Sequence, residues 1–211
     1  MAAYDVKREL TRLYAPNNRE WALVDVPPQQ FIAVSGMGNP NTAPEYVRAV
    51  AALYAVAYTL KFASKRAGRD FVVGPLEGLW WSPNPEVFTT RAKDEWHWRM
   101  LISQPEWITT EDIEEAKHAA LAKKKLPTIT TVEHETLTEA TSAQVLHIGS
   151  YDDETPTMKT LHDDYLPANN LTEAGHHHEI YLGDPRKMAA EKLKTVLRQP
   201  VRASARGNAT P

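Results

Sequence analysis

Residues 31–60 read FIAVSGMGNPNTAPEYVRAVAALYAVAYTL, an apolar run whose period changes after two glycines. The first four residues favour a β-strand, and the glycines predict its end. Thr42 can cap a following helix, with Pro44 in its first turn and Glu45 three residues after the cap, as in a capping box. Apolar residues then recur at alternating four- and three-residue steps, which predicts one buried helix face: Tyr46, Val50, Leu53, Ala57 and Leu60.

The same order of elements returns in the second half of the chain. AQVLHIG (143–149) predicts a strand that ends at a glycine, DDETPTMKTLHDDYL (152–166) predicts a helix, and HHHEIYLG (176–183) predicts another strand. In the first half, two predicted strands follow the long helix, FVVGPLEGLWW (71–81) and EWHWRMLIS (95–103). This repetition predicts a pseudo-duplicated α+β domain of β-α-β-β modules. We expect an antiparallel sheet with helices on one face and a concave ligand groove.

Two further segments complete the predicted organisation. TEDIEEAKHAALAKK (110–124) predicts a polar helix between the two repeats, and PRKMAAEKLKTVLR (185–198) is predicted to be partly helical. The expected boundaries are about 18–107 and 127–184 for the repeats, 1–202 for the single domain, and 203–211 for a disordered tail.

Composition and charge exclude several classes of function. The net charge of −3 provides no basic surface for nucleic acid or for an anionic membrane. No apolar run approaches the roughly 20 residues of a membrane-spanning helix, and the first residues lack a signal-peptide core. Cysteine is absent, which excludes disulfides and thiolate chemistry. We expect a cytoplasmic protein without nucleic-acid or membrane partners; the oligomeric state is not predicted.

The candidate chemistry lies in HHHEIYL, residues 176–182. Alternation along a strand places Glu179 and Tyr181 on one face and Ile180 and Leu182 on the other. The apolar pair should face the helices, so we expect Glu179 and Tyr181 to point into the groove. A carboxylate among apolar side chains is costly unless it is paired. The residues alone leave open the alternative of a solvated or salt-bridged Glu179 at the rim.

The three histidines do not predict a metal site. Neighbouring strand residues point to opposite faces, so at most His176 and His178 converge, and further ligands such as His147 or His162 would be needed. The sequence contains no H-E-x-x-H or comparable spacing, and no phosphate-binding loop. We therefore expect neither a metal nor a cofactor.

The chain is rich in tryptophan and tyrosine, six and eight residues against four phenylalanines, which suits both pockets and cores. Trp80 and Trp81 cannot both face one side of a strand, and Trp98 belongs either to the groove or to the core. Glu77 beside Gly78 is either a ligand contact or a packing position. On the long helix, two tyrosines either border the groove or form an ordinary amphipathic boundary. The candidate ligand-binding residues are Trp98, Trp81, Tyr58, Glu77, Tyr54 and His147.

The chain resembles stand-alone GyrI-like proteins in five segments: YDVKRELTRLYAP (4–16), PLEGLWW (75–81), EWHWRMLISQP (95–105), VLHIGSYDDE (145–154) and HHHEIYLGDPRK (176–187). The resemblance extends from about Tyr4 to about Arg202. It implies two β-α-β-β modules with a groove between sheet and helices that binds bulky aromatic or cationic small molecules. Tyr58 and Glu179 match positions typical of the family.

The resemblance also implies a reaction, because some stand-alone members hydrolyse the strained cyclopropane of DNA-alkylating natural products and so detoxify them. Glu179 would then act as general base on a water, and Tyr181 would donate to the dienone oxygen. The alternative is a non-catalytic module that sequesters aromatic or cationic ligands, with Glu179 paired to a cation. Related domains in regulators carry a helix-turn-helix; only about 20 residues precede the first predicted strand, so we expect none.

Overall fold

An antiparallel β-sheet organises the chain in the computed structural model, which describes residues 3–84 and 86–204. Its strands are Ala22–Val26 (β1), Gln29–Met37 (β2), Leu76–Trp81 (β3), His97–Gln104 (β4), Glu133–Leu137 (β5), Ala140–Ile148 (β6), Leu171–Glu173 (β7), His177–Tyr181 (β8) and Lys194–Ala203 (β9). Hydrogen bonds connect them in the order β1-β6-β9-β8-β3-β4-β2-β5, and β7 pairs with β9. The predicted α+β class with an antiparallel sheet is confirmed.

Helices of very different length accompany this sheet. They are Val6–Glu9 (α1), Thr11–Tyr14 (α2), Pro44–Arg66 (α3), Glu86–Thr89 (α4), Thr110–Lys124 (α5), Thr155–Thr160 (α6) and Leu166–Ala168 (α7). A π-helical turn, Leu161–Tyr165, joins α6 to α7, so the chain stays helical across all three. Within the described residues, none of these helices combines the length and the apolar character needed to cross a bilayer.

The strand order shows the duplication directly. The pair β3–β8 lies at the centre; outward from it follow β4, β2 and β5 on one side, and β9, β6 and β1 on the other. If each strand is replaced by its counterpart in the other half of the chain, the same order results, read in the opposite direction. The first strand of each half lies beyond the second strand of the other half, so neither half completes its sheet alone.

Two short corners force the sheet to curl. Only residues 27–28 separate β1 from β2, and only residues 138–139 separate β5 from β6, yet the joined strands lie near opposite ends of the order. Strands are spaced about 4.8 Å apart, so a flat sheet would place β1 and β2 roughly 30 Å from each other. Two linking residues cannot span that distance. The two ends of the sheet therefore come together around an inner face.

The two faces of the curled sheet bury their side chains in different ways. On the outer face, α3 and α5 cover one half and the α6–α7 segment covers the other, leaving a groove between them over β8 and β3. On the inner face, α1 and α2 pack against Ile180 and Val196. Phe31 and Leu101 are buried there by other sheet residues, because the curl encloses them. The long helices thus share one face, as predicted, but the groove lies on that same face.

The structure corrects two local predictions. Ala43, rather than Thr42, precedes the first turn of α3, and its side chain makes no capping hydrogen bond. Residues 185–198 were expected to be partly helical; a 3-10 helical turn, Ala190–Lys192, does lie there, but residues 194–198 open β9. β9 lies between β6 and β8 and is buried on both faces from residue 195 to 201, so it lacks the alternation that identifies a half-exposed strand. β9 reaches Ala203, and the rest of the expected disordered tail, 205–211, lies outside the described residues.

Candidate active site

A chain of contacts between neighbouring strands fixes Glu179 at the floor of the outer-face groove. Tyr181 Oη donates to Glu179 Oε2 at 2.7 Å, and Trp80 Nε1 donates to Tyr181 Oη at 3.0 Å. Gly78 pairs with Glu179 across β3 and β8, and a Cβ at Gly78 would lie 2.9 Å from Trp80 Nε1. Gly78 therefore leaves room for the Trp80 ring. Trp80 positions Tyr181 by a hydrogen bond, and Tyr181 positions Glu179 in the same way.

Glu179 and Tyr181 occupy the groove for a reason that differs from the expected one. The prediction placed Ile180 against the helices and Glu179 on a face without them. Ile180 does pack against helices, but these are the short α1 and α2 on the inner face. Glu179 lies on the outer face, between α3 and the start of α6. The exposed fractions of the side chains of Glu179 and its neighbour His177 are 16% and 17%, so the carboxylate is largely enclosed.

Aromatic side chains form the walls of the groove. Tyr46 from α3 stacks on Trp80 with ring centroids 6.4 Å apart, and Trp96 meets Trp80 edge-on at 5.8 Å. On the opposite side, Tyr151 meets Tyr181 edge-on at 5.4 Å. Such flat, apolar faces with polar edges suit a flat aromatic ligand.

A second carboxyl group, that of Glu154, is near enough to Glu179 for their charges to interact, and Glu154 directly precedes α6. Glu154 is 7% exposed, and its Oε1 is buried without a hydrogen-bond partner among the described residues. Burial and the negative charge of Glu179 raise the pKa of Glu154 far above its usual range. Glu154 therefore favours its protonated form beside the carboxyl group of Glu179, an arrangement in which one group can donate a proton while the other accepts one.

The phenols of the groove keep their protons as well. Burial and then the charge of Glu179 raise the pKa of Tyr181 well above its usual value, and burial with the charge of Glu154 raises that of Tyr151 to about 12. Burial, followed by the charge of Glu179, also raises the pKa of Tyr46. All three hydroxyls are therefore hydrogen-bond donors at neutral pH.

Two predicted ligand contacts, Glu77 and Trp81, lie on the inner face and do not reach the groove. Glu77 is fully buried, accepts a hydrogen bond from Tyr14 Oη at 2.8 Å, and lies 3.0 Å from His178 Nε2. Trp81 stacks on the His176 ring at 4.5 Å between centroids. The cause is strand alternation: Gly78 and Trp80 face the groove, so their neighbours on β3 must face inward.

Trp98 belongs to the core beneath α3. It is 1% exposed, and its Nε1 donates to the Gly38 carbonyl at 3.2 Å. A Cβ built on Gly36 would lie only 2.2 Å from the Trp98 ring, so the glycine provides the space that this ring occupies. Of the two readings of Trp98 from the sequence, the structure supports packing.

The other three predicted ligand contacts lie on α3 and on β6. Tyr54 and Tyr58 stack on α3 with centroids 6.3 Å apart, and Tyr58 is 49% exposed. His147 is 7% exposed and hydrogen-bonds the Ser150 carbonyl through Nε2 at 3.1 Å. Its Nδ1 lies 3.4 Å from Thr157 Oγ1, so His147 holds both ends of the segment that carries Glu154.

The consecutive histidines separate into three environments. His176 stacks on Trp81, His177 Nε2 lies 3.5 Å from Glu179, and His178 is buried on the inner face between two carboxylates. Among residues 3–84 and 86–204, no group of three or more His, Cys, Asp or Glu side chains has the geometry to hold a metal ion.

The candidate residues chosen from the sequence did not include Glu154, Tyr46, Trp80 or Trp96, although a groove position was left open for one of Trp80 and Trp81 and for Trp96. Glu154 closes the VLHIGSYDDE segment, directly before the residue that begins α6. Membership of a segment that carries the family resemblance was the available signal; the burial of Glu154 is visible only in the structure. Whether Trp80 or Trp81 faces the groove depends on the register between β3 and β8. This register cannot be read from a local sequence pattern.

Another cavity lies outside this groove, against α6. It measures about 770 Å³ and is bordered by residues 18–21, the edge of β6 and the α6–α7 segment. Its acidic lining residues, Glu20, Asp153 and Asp164, are exposed to solvent. The buried carboxyl groups meet in the groove instead, which is why we place the chemistry there.

Comparisons with known proteins identify the family of this chain. The family described as "GyrI-like small molecule binding domain" matches residues 20–202. A structure of an uncharacterized conserved protein from Listeria innocua is 38% identical, covers 94% of this chain and 100% of its own, and has a TM-score of 0.87. A hydrolase from Listeria innocua is 37% identical with the same two coverages and a TM-score of 0.82. No curated protein sequence matches the chain.

A more distant structure shows the same fold in another setting. The C-terminal domain of EcmrR is 12% identical, covers 87% of this chain and 98% of its own, and has a TM-score of 0.55. At this identity the likeness concerns the fold alone.

Proposed function

This chain belongs to the GyrI-like family of small-molecule-binding domains, and we propose that it is a hydrolase that adds water to a flat, electrophilic aromatic molecule bound in the groove. The observation that carries the proposal is the pair of enclosed carboxyl groups, Glu154 with a buried Oε1 that has no partner among the described residues, and Glu179 held by the Tyr181 hydroxyl. A binding module needs no proton donor beside its carboxylate. The related Listeria hydrolase, 37% identical over the full fold, supports an enzyme.

The substrate class that fits is a strained cyclopropane conjugated to a dienone, as in DNA-alkylating cyclopropanoid genotoxins. The resemblance to stand-alone GyrI-like hydrolases suggests it, and the groove offers what the reaction needs. Ring opening develops negative charge on the dienone oxygen, where a neutral acid such as Glu154 is useful. The flat rings of the substrate would lie against Tyr46 and Trp80.

Glu179 and Glu154 together account for every proton that moves in the proposed step. Glu179 takes a proton from a water while the water oxygen bonds to a cyclopropane carbon. The bond from that carbon to the dienone ring breaks, and its electron pair enters the ring, which becomes an aromatic phenolate. Glu154 gives its proton to the phenolate oxygen. Return of the proton from Glu179 to Glu154 restores the starting state, and the net change is the addition of one water.

Substitution of each carboxyl group tests the proposal. With a duocarmycin-type cyclopropane as substrate, we expect Glu179→Gln to bind but to form the hydrated, ring-opened product about 10²–10⁴-fold more slowly, because an amide cannot accept the proton. Glu154→Gln should also slow the reaction. Glu173→Gln is the matched control, because Glu173 is exposed and pairs with His162 on the surface. Product is measured by mass spectrometry; turnover of Glu179→Gln at the wild-type rate contradicts the proposal.

The same experiment separates the hydrolase from a sequestering module. Two carboxyl groups between aromatic walls also suit a flat cation, through charge and cation–π attraction. If sequestration is the function, wild type forms no hydrated product and Glu179→Gln loses affinity for cations but not for neutral ligands. If hydrolysis is the function, the affinity for a neutral substrate is kept and turnover is lost.

A further inference from the structure

A buried hydroxyl, Thr195, lies beside the proposed acid and has no role in the reaction described above. Thr195 is on β9, paired with His147 on one side and with Tyr181 on the other, and is fully buried. Its Oγ1 has no hydrogen-bond partner within the described part of the chain, and the same holds for Glu154 Oε1. Two neighbouring buried polar atoms without partners are costly, so they call for an explanation.

We propose that Thr195 is the positioning residue for Glu154. The Thr195 hydroxyl donates to Oε1 of Glu154, so that the acidic proton of Glu154 is carried by Oε2; this bond is loose in the free protein and tightens in the substrate complex. The inference rests on the proposed function, because it assigns the acid a partner that aims its proton.

The chemistry of a carboxylic acid supports this assignment. A protonated carboxyl has one hydroxyl oxygen and one carbonyl oxygen, and a donor favours the carbonyl oxygen. Thr195 therefore selects which oxygen of Glu154 holds the proton. Catalytic hydrogen bonds are often misaligned without substrate and tighten in the complex, which explains two adjacent groups that do not yet form a good bond.

The electrostatic effect has a defined sign. The Thr195 hydroxyl favours the charged form of Glu154, so it opposes burial and the charge of Glu179 and lowers the pKa of Glu154. Removing the hydroxyl must raise the pKa of Glu154 and make it a weaker acid. A side chain that only fills space would not change this pKa.

The test uses Thr195→Val, which keeps the shape and removes the hydroxyl, and Thr195→Ser, which keeps the hydroxyl. Ser142→Ala is the matched control, because Ser142 is also fully buried in the sheet but pairs with Pro200, away from Glu154. We expect Thr195→Val to lower kcat about 10–100-fold with little change in KM. Thr195→Ser should recover most of the rate, and Ser142→Ala should keep it.

A second measurement does not depend on turnover. Carbon-13 NMR of the glutamate carboxyls, with Glu154→Gln for assignment, follows the titration of Glu154 directly. We expect this titration to move to higher pH in Thr195→Val and to stay near wild type in Thr195→Ser. If the wild type hydrolyses the cyclopropane but Thr195→Val is equally active, the positioning role is wrong. An unmoved Glu154 titration overturns it whether or not the protein is a hydrolase, whereas an inactive wild type counts against the proposed function itself.

Discussion

Both faces of β8 bury ionisable side chains, but the two faces differ in how far these side chains are neutralised by partners of opposite charge. On the inner face, His178 is held between Glu77 and Glu139, at 3.0 Å from each, and Arg198 lies 3.1 Å from Glu139. Two acids and two bases thus neutralise each other. On the outer face, one residue further along the strand, no Lys or Arg of residues 3–84 and 86–204 forms an ion pair with Glu179. Its nearest basic contact is a histidine at 3.5 Å.

The contrast separates a structural role from a functional one. A balanced buried cluster fixes strands, because breaking any pair leaves an uncompensated charge. Arg198 also donates to the Leu13 carbonyl at 2.9 Å, so the inner cluster attaches α2 to the sheet. An unbalanced pair such as Glu154 and Glu179 costs stability and perturbs pKa values, which is typical of reacting groups. We therefore expect the inner cluster to control stability and the outer pair to control turnover.

The largest effect on stability is expected from Arg198→Met. Arg198 is 1% exposed and neutralises Glu139, so its removal leaves a buried carboxylate with one partner fewer. We expect the free energy of unfolding to fall by about 3–5 kcal/mol. Arg48→Met is the matched control, since Arg48 pairs with Glu45 on the exposed surface of α3 and such pairs contribute about 0–1 kcal/mol. Urea unfolding gives both values; equal losses would remove the distinction between the two faces.

The inner cluster also makes stability depend on pH. Burial alone would lower the pKa of His178, but the charges and hydrogen bonds of Glu139 and Glu77 raise it to about 9. The folded-state pKa is thus above the unfolded value of 6.5, so this contribution is complete below pH 6.5 and is lost as the pH rises through about 9.

We therefore expect the free energy of unfolding to decrease between pH 7 and pH 9.5, measured by urea unfolding at constant ionic strength. His178→Gln removes the titrating ring and should flatten this decrease, although it lowers stability at pH 7. A wild-type curve with the same slope as that of His178→Gln would show that His178 is not charged in the folded protein.

Local patterns in the sequence were sufficient for the elements that are exposed on one side. The polar helix predicted at 110–124 has those bounds in α5, because its cap and charged face are local features. The duplicated order of strands and helices also follows from local patterns. Strand β9 could not be predicted from local patterns, because a strand that is buried on both faces shows no alternation of apolar and polar residues. The stretch KMAAEKLKTVLR fits a helix equally well.

The site was predictable only in part. Alternation was enough to place Glu179 and Tyr181 on one face of β8. Their partners come from elsewhere in the chain, Trp80 through the β3–β8 register and Glu154 through the turn before α6. Such convergence is a tertiary property. It also explains why Trp81, adjacent to Trp80, was named as a ligand contact and lies on the inner face.

The smallest effect on turnover is expected from Tyr181→Phe, which tests how the outer pair, Glu154 and Glu179, is oriented. The sequence suggested that Tyr181 donates to the substrate, but its hydroxyl donates to Glu179 and accepts from Trp80. If this bond orients Glu179, the variant should keep KM and lose about tenfold in kcat, roughly 1.4 kcal/mol, which is less than Glu179→Gln loses. The control is Tyr4→Phe, which removes the hydroxyl of a ring that packs edge-on against Trp107. A loss in Tyr181→Phe as large as that in Glu179→Gln would instead indicate that Tyr181 itself stabilises the developing oxyanion.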